Sequence, residues 1–309
     1  MPKYGLIGYP IAHSLSPRLF GAAYRGHFRY DLLEYESFDE AFRLFMKSYD
    51  AVNVTAPFKE QAFERARIRS RECELIGAAN ILVKTPRGLS CFNSDCSAVK
   101  VLLESARRKA SRLSPEVEAS DMQSKKPVRV LVVGCGGAGK AAIVAAALMG
   151  MEVTVMNRSI SRALGFVQAL NQKLSAGSFA GGFGGGSAGS LAGGPVGSVK
   201  VLPIESFQVA VQENDILIYT APAPLDCFPF KEREGARAEK AGAAAGTSRL
   251  KAVIEANYRN LSFSPEVLSR LPESVEYIPG QQWLLQQALT GYKLMTGQSP
   301  DSQALSAVF

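Results

Sequence analysis

The sequence predicts an α/β protein of two domains. Three observations carry that reading. The chain has 309 residues, which is long for one core and fits about two. Short apolar runs of strand length alternate with segments whose apolar residues recur at helical spacing. One run, "RVLVVGCGGAGKAAIVAAAL" from Arg129 to Leu148, joins a buried strand to an Ala-rich helix through a cluster of glycines.

Taken in order, "YGLIGY" reads as a strand ended by Gly8 and Pro10. "SPRLFGAAYRGHF" reads as a helix with Ser16 as its cap and Pro17 at the first helical position. "YDLLEYE" is a second strand, "FDEAFRLFMKS" a helix, and "YDAVNVTA" a third strand. "KEQAFERARI" and "SRECELIG" have helical patterns, whereas "AANILVKT" and "GLSCFNSD" look extended. This alternation predicts a mostly parallel sheet. A helix from about Cys96 to Lys109 leads through a polar connector, 111–126, to a second α/β unit. There "VRVLVVG" and "EVTVMNR" are strands, "GKAAIVAAALMGM" and "SISRALGFVQALNQKL" helices, and "VKVLPIESF" and "NDILIYTAP" continue the alternation. Two Gly/Ser/Ala-rich stretches, 175–198 and 235–248, read as surface insertions without chemistry. The predicted domains are 1–100, completed by C-terminal helices at 280–309, and 101–279.

Composition narrows the class. Hydrophobic residues make up 47% and charged residues 20%, an ordinary soluble balance. The N-terminus lacks the apolar run of a signal peptide, and the longest apolar stretch, Ala141 to Met151, is too short to span a bilayer. The five cysteines are odd in number and lack metal-ligand spacing, which predicts a reducing, cytoplasmic setting, no disulfide frame and no metal. The formal charge is +7, with basic clusters at Arg107 to Arg112 and Lys125 to Arg129. No aromatic residues interleave with them to stack bases, so a solvated surface is the better account than nucleic-acid binding. A modest positive field also suits anionic small molecules.

The glycine cluster fits two phosphate loops. Gly134, Gly136 and Gly139 read as G-x-G-x-x-G, and Gly134 to Lys140 read as G-x-x-x-x-G-K. The triphosphate loop needs Ser or Thr after its lysine to hold magnesium, and Ala141 stands there. The dinucleotide reading has its strand, its helix and, about 20 residues on, a group for the adenosine ribose. That group is Asn157-Arg158-Ser159, with Arg162 beyond, and no carboxylate. Guanidinium binds a 2′-phosphate bidentately, so this Rossmann domain is predicted to take NADP(H).

Hydride transfer to a ketone needs a proton donor for the developing alkoxide. Neither His13 nor His27 has an obvious partner in sequence, so lysine is considered next. "NVTAPFK" ends a strand at Lys59, with Asn53 and Thr55 two residues apart and so able to line one cleft. Asp95 ends another extended segment, "CFNSD". Lys59 and Asp95 make a workable proton-transfer couple.

"GYPIAHSLSP", "NVTAPFK", "GAAN", "FNSD", "GCGGAGKAA" and "NRS" occur in the order and spacing of the shikimate dehydrogenase family, and "PGQQWLLQQA" is similar to that family's closing helix. The chain resembles the family over nearly its whole length outside the insertions. The resemblance implies a substrate-binding domain and an NADP-binding domain flanking an active-site cleft. It implies reversible NADPH-dependent reduction of 3-dehydroshikimate to shikimate, in the route to chorismate and aromatic amino acids. By that resemblance Ser14 and Ser16 hold the substrate carboxylate with help from Tyr258, and Thr55, Asn80, Asp95 and Gln287 contact the ring hydroxyls. Lys59 is the proton donor and Asp95 its partner. Backbone N–H groups at Gly136, Gly137 and Ala138 hold the pyrophosphate, Asn157, Arg158 and Arg162 the 2′-phosphate, and Gly280 lies near the nicotinamide.

The chain departs from the family at Cys96, where Gly is usual, at Tyr219 to Pro222, and at Ala256 and Trp283, where Met is usual. Two alternatives stay open: a quinate/shikimate dehydrogenase working oxidatively, and a catalytically weak paralogue that binds NADP(H) or a metabolite. Arg158 argues against the NAD preference of the first, and retention of Lys59 and Asp95 against the second. A monomer and a homodimer are equally compatible with the sequence.

Overall fold

The computed structural model describes residues 1–112, 127–176, 197–226, 228 and 248–309. The expected insertions lie almost wholly outside the described residues, as does Cys227. The chain forms two compact units: Met1–Val101 with Gln172–Ala192 and Gln281–Phe309, and Leu102–Asn171 with Gly193–Gly280.

The first unit is built on six strands, β1 (Lys3–Gly8), β2 (Arg29–Glu34), β3 (Ala51–Val54), β4 (Ile68–Arg69), β5 (Ile81–Thr85) and β6 (Gly88–Phe92), in the order β2-β1-β3-β5-β6-β4. The sheet is mostly parallel, as the alternation predicts, but mixed, because β5 runs antiparallel to both β3 and β6. No helix separates β5 from β6. Only Pro86 and Arg87 do, and a two-residue connection allows nothing but a hairpin.

Side-chain alternation divides this unit's core between the two sheet faces. Ile7, Val52, Val54, Leu82 and Cys91 pack beneath α2 (Phe38–Ser48), α3 (Lys59–Arg65) and α4 (Arg71–Ile76), with Phe38, Phe45, Ala62 and Cys73 as their partners. Tyr4, Ala51 and Ile81 face α1 (Ser16–Ala23), α10 (Gly280–Thr296) and α11 (Ser302–Ser306) through Phe20, Tyr292 and Leu305. Phe20 is fully buried, with the rings of Tyr4, Tyr24, Tyr30 and Tyr292 all 4.5–5.3 Å away between centroids. The α1 cap differs from expectation: Leu15 occupies the cap position and Ser16 opens the helix. The Ser16 hydroxyl is engaged with Ser14 and leaves the helix N–H groups alone. α5 (Ser94–Arg112) also starts earlier than predicted, because Asn93 caps it by accepting from the Cys96 N–H at 3.1 Å.

The second unit carries an all-parallel sheet of β7 (Arg129–Val133), β8 (Glu152–Met156), β9 (Val199–Val201), β10 (Ile216–Tyr219), β11 (Ala252–Glu255) and β12 (Glu276–Ile278). Its order, β12-β11-β10-β7-β8-β9, is that of a doubly wound dinucleotide fold, with the switch point beside β7. α6 (Gly137–Leu148) packs on β7 and β8 and is buried continuously from Ala141 to Ala147, which is why its residues are small and apolar all round. α7 (Ile160–Ser175) follows β8, and α8 (Phe207–Glu213) and α9 (Pro265–Ser269) contribute Phe207, Val211 and Val267 to the core. Among the described residues no helix is long and apolar enough to cross a membrane.

Phe20→Ala removes the hub of the aromatic cluster. It is expected to cost the first unit about 3–5 kcal/mol, read as a lowered urea midpoint for that unit. An unchanged midpoint would contradict the packing described.

Candidate functional site

One edge of the first sheet gathers the polar residues singled out in the sequence. β1 and β3 are parallel, so their C-terminal ends lie together, and Thr55 N donates to Ile7 O at 2.9 Å across them. The antiparallel β5 brings its start to the same edge, where Asn53 pairs with Ile81, and Ile81 pairs with Phe92 at the end of β6. Ser14 and Ser16 after β1, Thr55 and Lys59 after β3, Asn80 before β5, and Asp95 after β6 are therefore collected by sheet register alone.

Lys59 Nζ donates to Asp95 Oδ2 at 2.7 Å. The carboxylate is 6% exposed and the lysine side chain 21%, so the charge pair is sheltered while the ammonium keeps a path to water. Asp95 lies in the first turn of α5, where the helix end favours negative charge. Asn80 is buried, and its carboxamide is committed to protein partners. Nδ2 donates to Ser94 Oγ at 3.1 Å and to Asp95 Oδ2 at 3.2 Å, while Oδ1 accepts from Ser94 N at 2.8 Å. Asn80 thus reaches a ligand only by exchanging one of these bonds; its first effect is to hold Asp95.

Ser14 and Ser16 form a separate pair. Ser14 Oγ donates to Ser16 Oγ at 3.1 Å and accepts from Ser16 N at 3.2 Å. Among the described residues no hydrogen bond joins this pair to Lys59 or Asp95. Gln287 is half-buried on α10, and Thr55 is half-buried just past β3. Asn53 does not share a cleft-facing role with Thr55: its Oδ1 accepts from Tyr30 Oη at 2.8 Å.

In the second unit the glycine loop follows β7. Gly134 has φ +107°, a conformation suited to glycine, and a Cβ on Gly139 would sit 2.1 Å from Gly134 O. A Cβ on Gly136 would meet nothing within 4 Å, so the loop is open above this residue. Gly136 caps α6, and Gly137 and Ala138 form its first turn, where N–H groups lack helical partners. Asn157 ties the next strand to this loop: its Oδ1 accepts from Cys135 N at 3.1 Å and its Nδ2 donates to Ser159 O at 2.8 Å. Arg158 and Arg162 are exposed just beyond. These residues fit a dinucleotide carrying an extra phosphate: open backbone donors for the bridging phosphates, and uncommitted surface guanidinium groups for the third.

Tyr258 and Gly280 meet through the loop after β11. A Cβ on Gly280 would fall 2.3 Å from Asn257 O and 2.7 Å from Tyr258 N. Asn257 Nδ2 donates to Ala221 O and to Ser262 Oγ. Glu255, fully buried at the end of β11, accepts from Ser262 N and from the Tyr277 hydroxyl. Burial and the Glu255 carboxylate push the Tyr277 phenol up from its ordinary value.

Sequence reasoning missed Glu255, Ser94 and Tyr30. Ser94 carried a signal, since Asn-Ser-Asp before an apolar helical pattern is a capping sequence. Glu255 and Tyr30 carried none, because their partners are set by strand order and loop closure. Three of the departures, Cys96, Tyr219 and Trp283, are packing residues. Cys96 is buried in α5, its thiol pushed up to about 12 by that burial. Trp283 is buried on α10. Tyr219 is buried against Phe263, with its hydroxyl donating to Ala223 O at 2.9 Å.

Comparison with known proteins agrees with this layout. The family model of the shikimate dehydrogenase substrate binding domain matches residues 6–82, and that of the alanine dehydrogenase/PNT C-terminal domain matches residues 107–229. A shikimate dehydrogenase (NADP(+)) of Thermotoga maritima is 34% identical over 167 residues, covering 52% of this chain and 57% of the relative. The chain thus matches a little over half the length of these curated relatives. The shikimate dehydrogenase structure of Mycobacterium tuberculosis superposes with a TM-score of 0.68 at 24% identity, over 99% of this chain and 98% of that one. The quinate dehydrogenase of Corynebacterium glutamicum, solved with NAD, gives 0.70 at 18% identity, over 100% and 98%. At such identities the two structures speak for the fold, two α/β domains with one mixed and one parallel sheet. With the substrate-domain model on the first unit and curated shikimate dehydrogenases across the aligned half, this chain is similar to the shikimate dehydrogenases.

Proposed function

We propose that this chain is an NADP-dependent oxidoreductase that reversibly reduces 3-dehydroshikimate to shikimate. The observation that carries the reading is the sheltered Lys59–Asp95 ion pair, 2.7 Å long, at the sheet edge that also bears Ser14, Ser16 and Thr55. The cofactor choice is supported by the guanidinium groups of Arg158 and Arg162 after β8, by the lack of a carboxylate there, and by the NADP(+) in relatives' names.

When bound, NADPH supplies the hydride that reaches the substrate's carbonyl carbon. Lys59 hydrogen-bonds the carbonyl oxygen and gives it the Nζ proton as negative charge develops there. Asp95 keeps the ammonium oriented without taking the proton itself. Asn80, by donating to Asp95 Oδ2, fixes the carboxylate lone pair that Lys59 uses. Lys59 is regenerated through its exposed fraction, 21%, by proton uptake from water. In shikimate oxidation neutral Lys59 accepts the hydroxyl proton. The Ser14 and Ser16 hydroxyls hold the ring carboxylate, and Gln287 and Thr55 receive ring hydroxyls. A site built on so many fixed polar groups rejects analogues that lack one of them.

Steady-state kinetics test the reading directly. The wild-type chain is expected to turn over 3-dehydroshikimate with NADPH. Lys59→Ala should lower kcat by about 10²–10⁴-fold with little change in KM. Absence of turnover in folded wild-type protein would refute the assignment. Asp95→Asn keeps the shape but removes the charge that orients Lys59, so a fall in kcat of about tenfold or more is expected; an unchanged rate would detach Asp95 from the chemistry. Arg158→Ala should raise KM for NADPH about tenfold and leave NADH kinetics nearly unchanged. An equal effect on both cofactors would place the 2′-phosphate elsewhere.

A further inference from the structure

One side chain in the second unit bears on two phosphate positions at once. The glycine loop leaves β7 at Gly134, and two hydrogen bonds tie it to the end of β8. Gly134 N donates to Met156 O at 2.8 Å, which carries the strand pairing one residue past β7. At the next residue a side chain takes over: Cys135 N donates to Asn157 Oδ1 at 3.1 Å. The Cys135 side chain is buried. With its N–H taken and its thiol in the core, Cys135 is held in one orientation, and the peptide planes after it are aimed accordingly. Those planes carry the N–H groups of Gly136, Gly137 and Ala138, the donors at the start of α6.

Asn157 has a second grip. Its Nδ2 donates to Ser159 O at 2.8 Å, two residues further on. That bond closes a short ring across Arg158, which is left exposed at the apex. Ser159 O also accepts from Ala163 N at 3.4 Å, the main-chain bond that leads into α7, and the first turn of α7 carries Arg162. Asn157 itself is half-buried between these two attachments. Backbone that is already fixed in the free protein loses less entropy when it captures a phosphate.

The sequence resemblance gives Asn157 a direct contact with the 2′-phosphate. The geometry points to a different role: Asn157 is a positioning residue whose one carboxamide braces both the bridging-phosphate loop and the Arg158 apex. Its Oδ1 serves the half of the site that NAD and NADP share, and its Nδ2 serves the half that only NADP uses. Asn157 therefore supports any dinucleotide, and the 2′-phosphorylated one doubly. The inference rests on the reading of this loop as the cofactor site.

The test uses the full chain as wild type, Asn157→Ala, Asn157→Asp, Arg158→Ala, and Asn157→Ala combined with Arg158→Ala. Calorimetry gives the Kd of each for NAD+ and NADP+, so no turnover is needed. Asn157→Ala should weaken NAD+ about fivefold and NADP+ about twentyfold. On the Arg158→Ala background, where the apex has nothing left to aim, its effect on NADP+ should shrink to about fivefold. Asn157→Asp keeps an acceptor for the Cys135 N–H but loses the donor to Ser159. It should bind NAD+ no more weakly than wild type, while NADP+ falls at least as far as in Asn157→Ala. An NAD+ affinity untouched by Asn157→Ala would make Asn157 a plain 2′-phosphate ligand and overturn the proposal. It falls equally if Asn157→Asp loses NAD+ as fully as Asn157→Ala, or if the Asn157→Ala effect on NADP+ is undiminished without Arg158. Wild type that binds both dinucleotides with the expected pattern but does not oxidise shikimate would sink the enzymatic assignment and leave the brace standing. Wild type that binds neither would remove the cofactor reading and the brace together.

Discussion

A carboxylate taken out of water must be matched by opposite charge and hydrogen bonds, or its ionised form is not sustained. Asp95, with 6% of its side chain exposed, is under that constraint, and the architecture of the first unit follows from meeting it. Lys59 supplies the charge and Asn80 a further donor. Asn80 could not reach Asp95 if β5 ran parallel to its neighbours, since it would then lie at the opposite end of the strands. The hairpin that joins β5 to β6 is therefore a functional feature of the sheet as well as a topological one. It folds the Asn80 and Asn93–Asp95 segments against each other, with Asn80 Oδ1 accepting from Ser94 N at 2.8 Å.

The second unit answers to a different constraint, the close approach of backbone to backbone. Gly139 lies so near Gly134 O that the first turn of α6 and the end of β7 meet without a side chain between them. The same economy of space recurs at Gly280, pressed on the backbone of Asn257 and Tyr258. That loop is held from below by buried Glu255 and from the side by Asn257. Tyr258 is thus carried by a loop whose own polar groups are tied down.

Several substitutions that look disruptive in sequence are absorbed by packing. Cys96 replaces a small residue in the first turn of α5, yet it is fully buried and its backbone N–H completes the Asn93 cap. Tyr219 ends β10 with its ring in the core against Phe263 and its hydroxyl satisfied by Ala223 O. Trp283, buried on α10, likewise belongs to the packed interior.

Most local signals were legible in the amino-acid sequence, although the caps of α1 and α5 were not. The strand–glycine–helix run at Arg129 to Leu148 announced a dinucleotide loop, because glycine spacing and apolar periodicity are properties of neighbouring residues. The lack of an acidic group near Arg158 and the alternation of elements were likewise local. Lys59 and Asp95 could be named from their motifs, though their 2.7 Å contact is a product of sheet register. What only the tertiary structure decided are relations between distant segments. The antiparallel β5, the diversion of Asn80 to Asp95 and of Asn53 to Tyr30, and the burial of Glu255 all depend on which strands become neighbours. Strand order is determined by how the whole chain buries its apolar faces, a collective property with no signature at any single position.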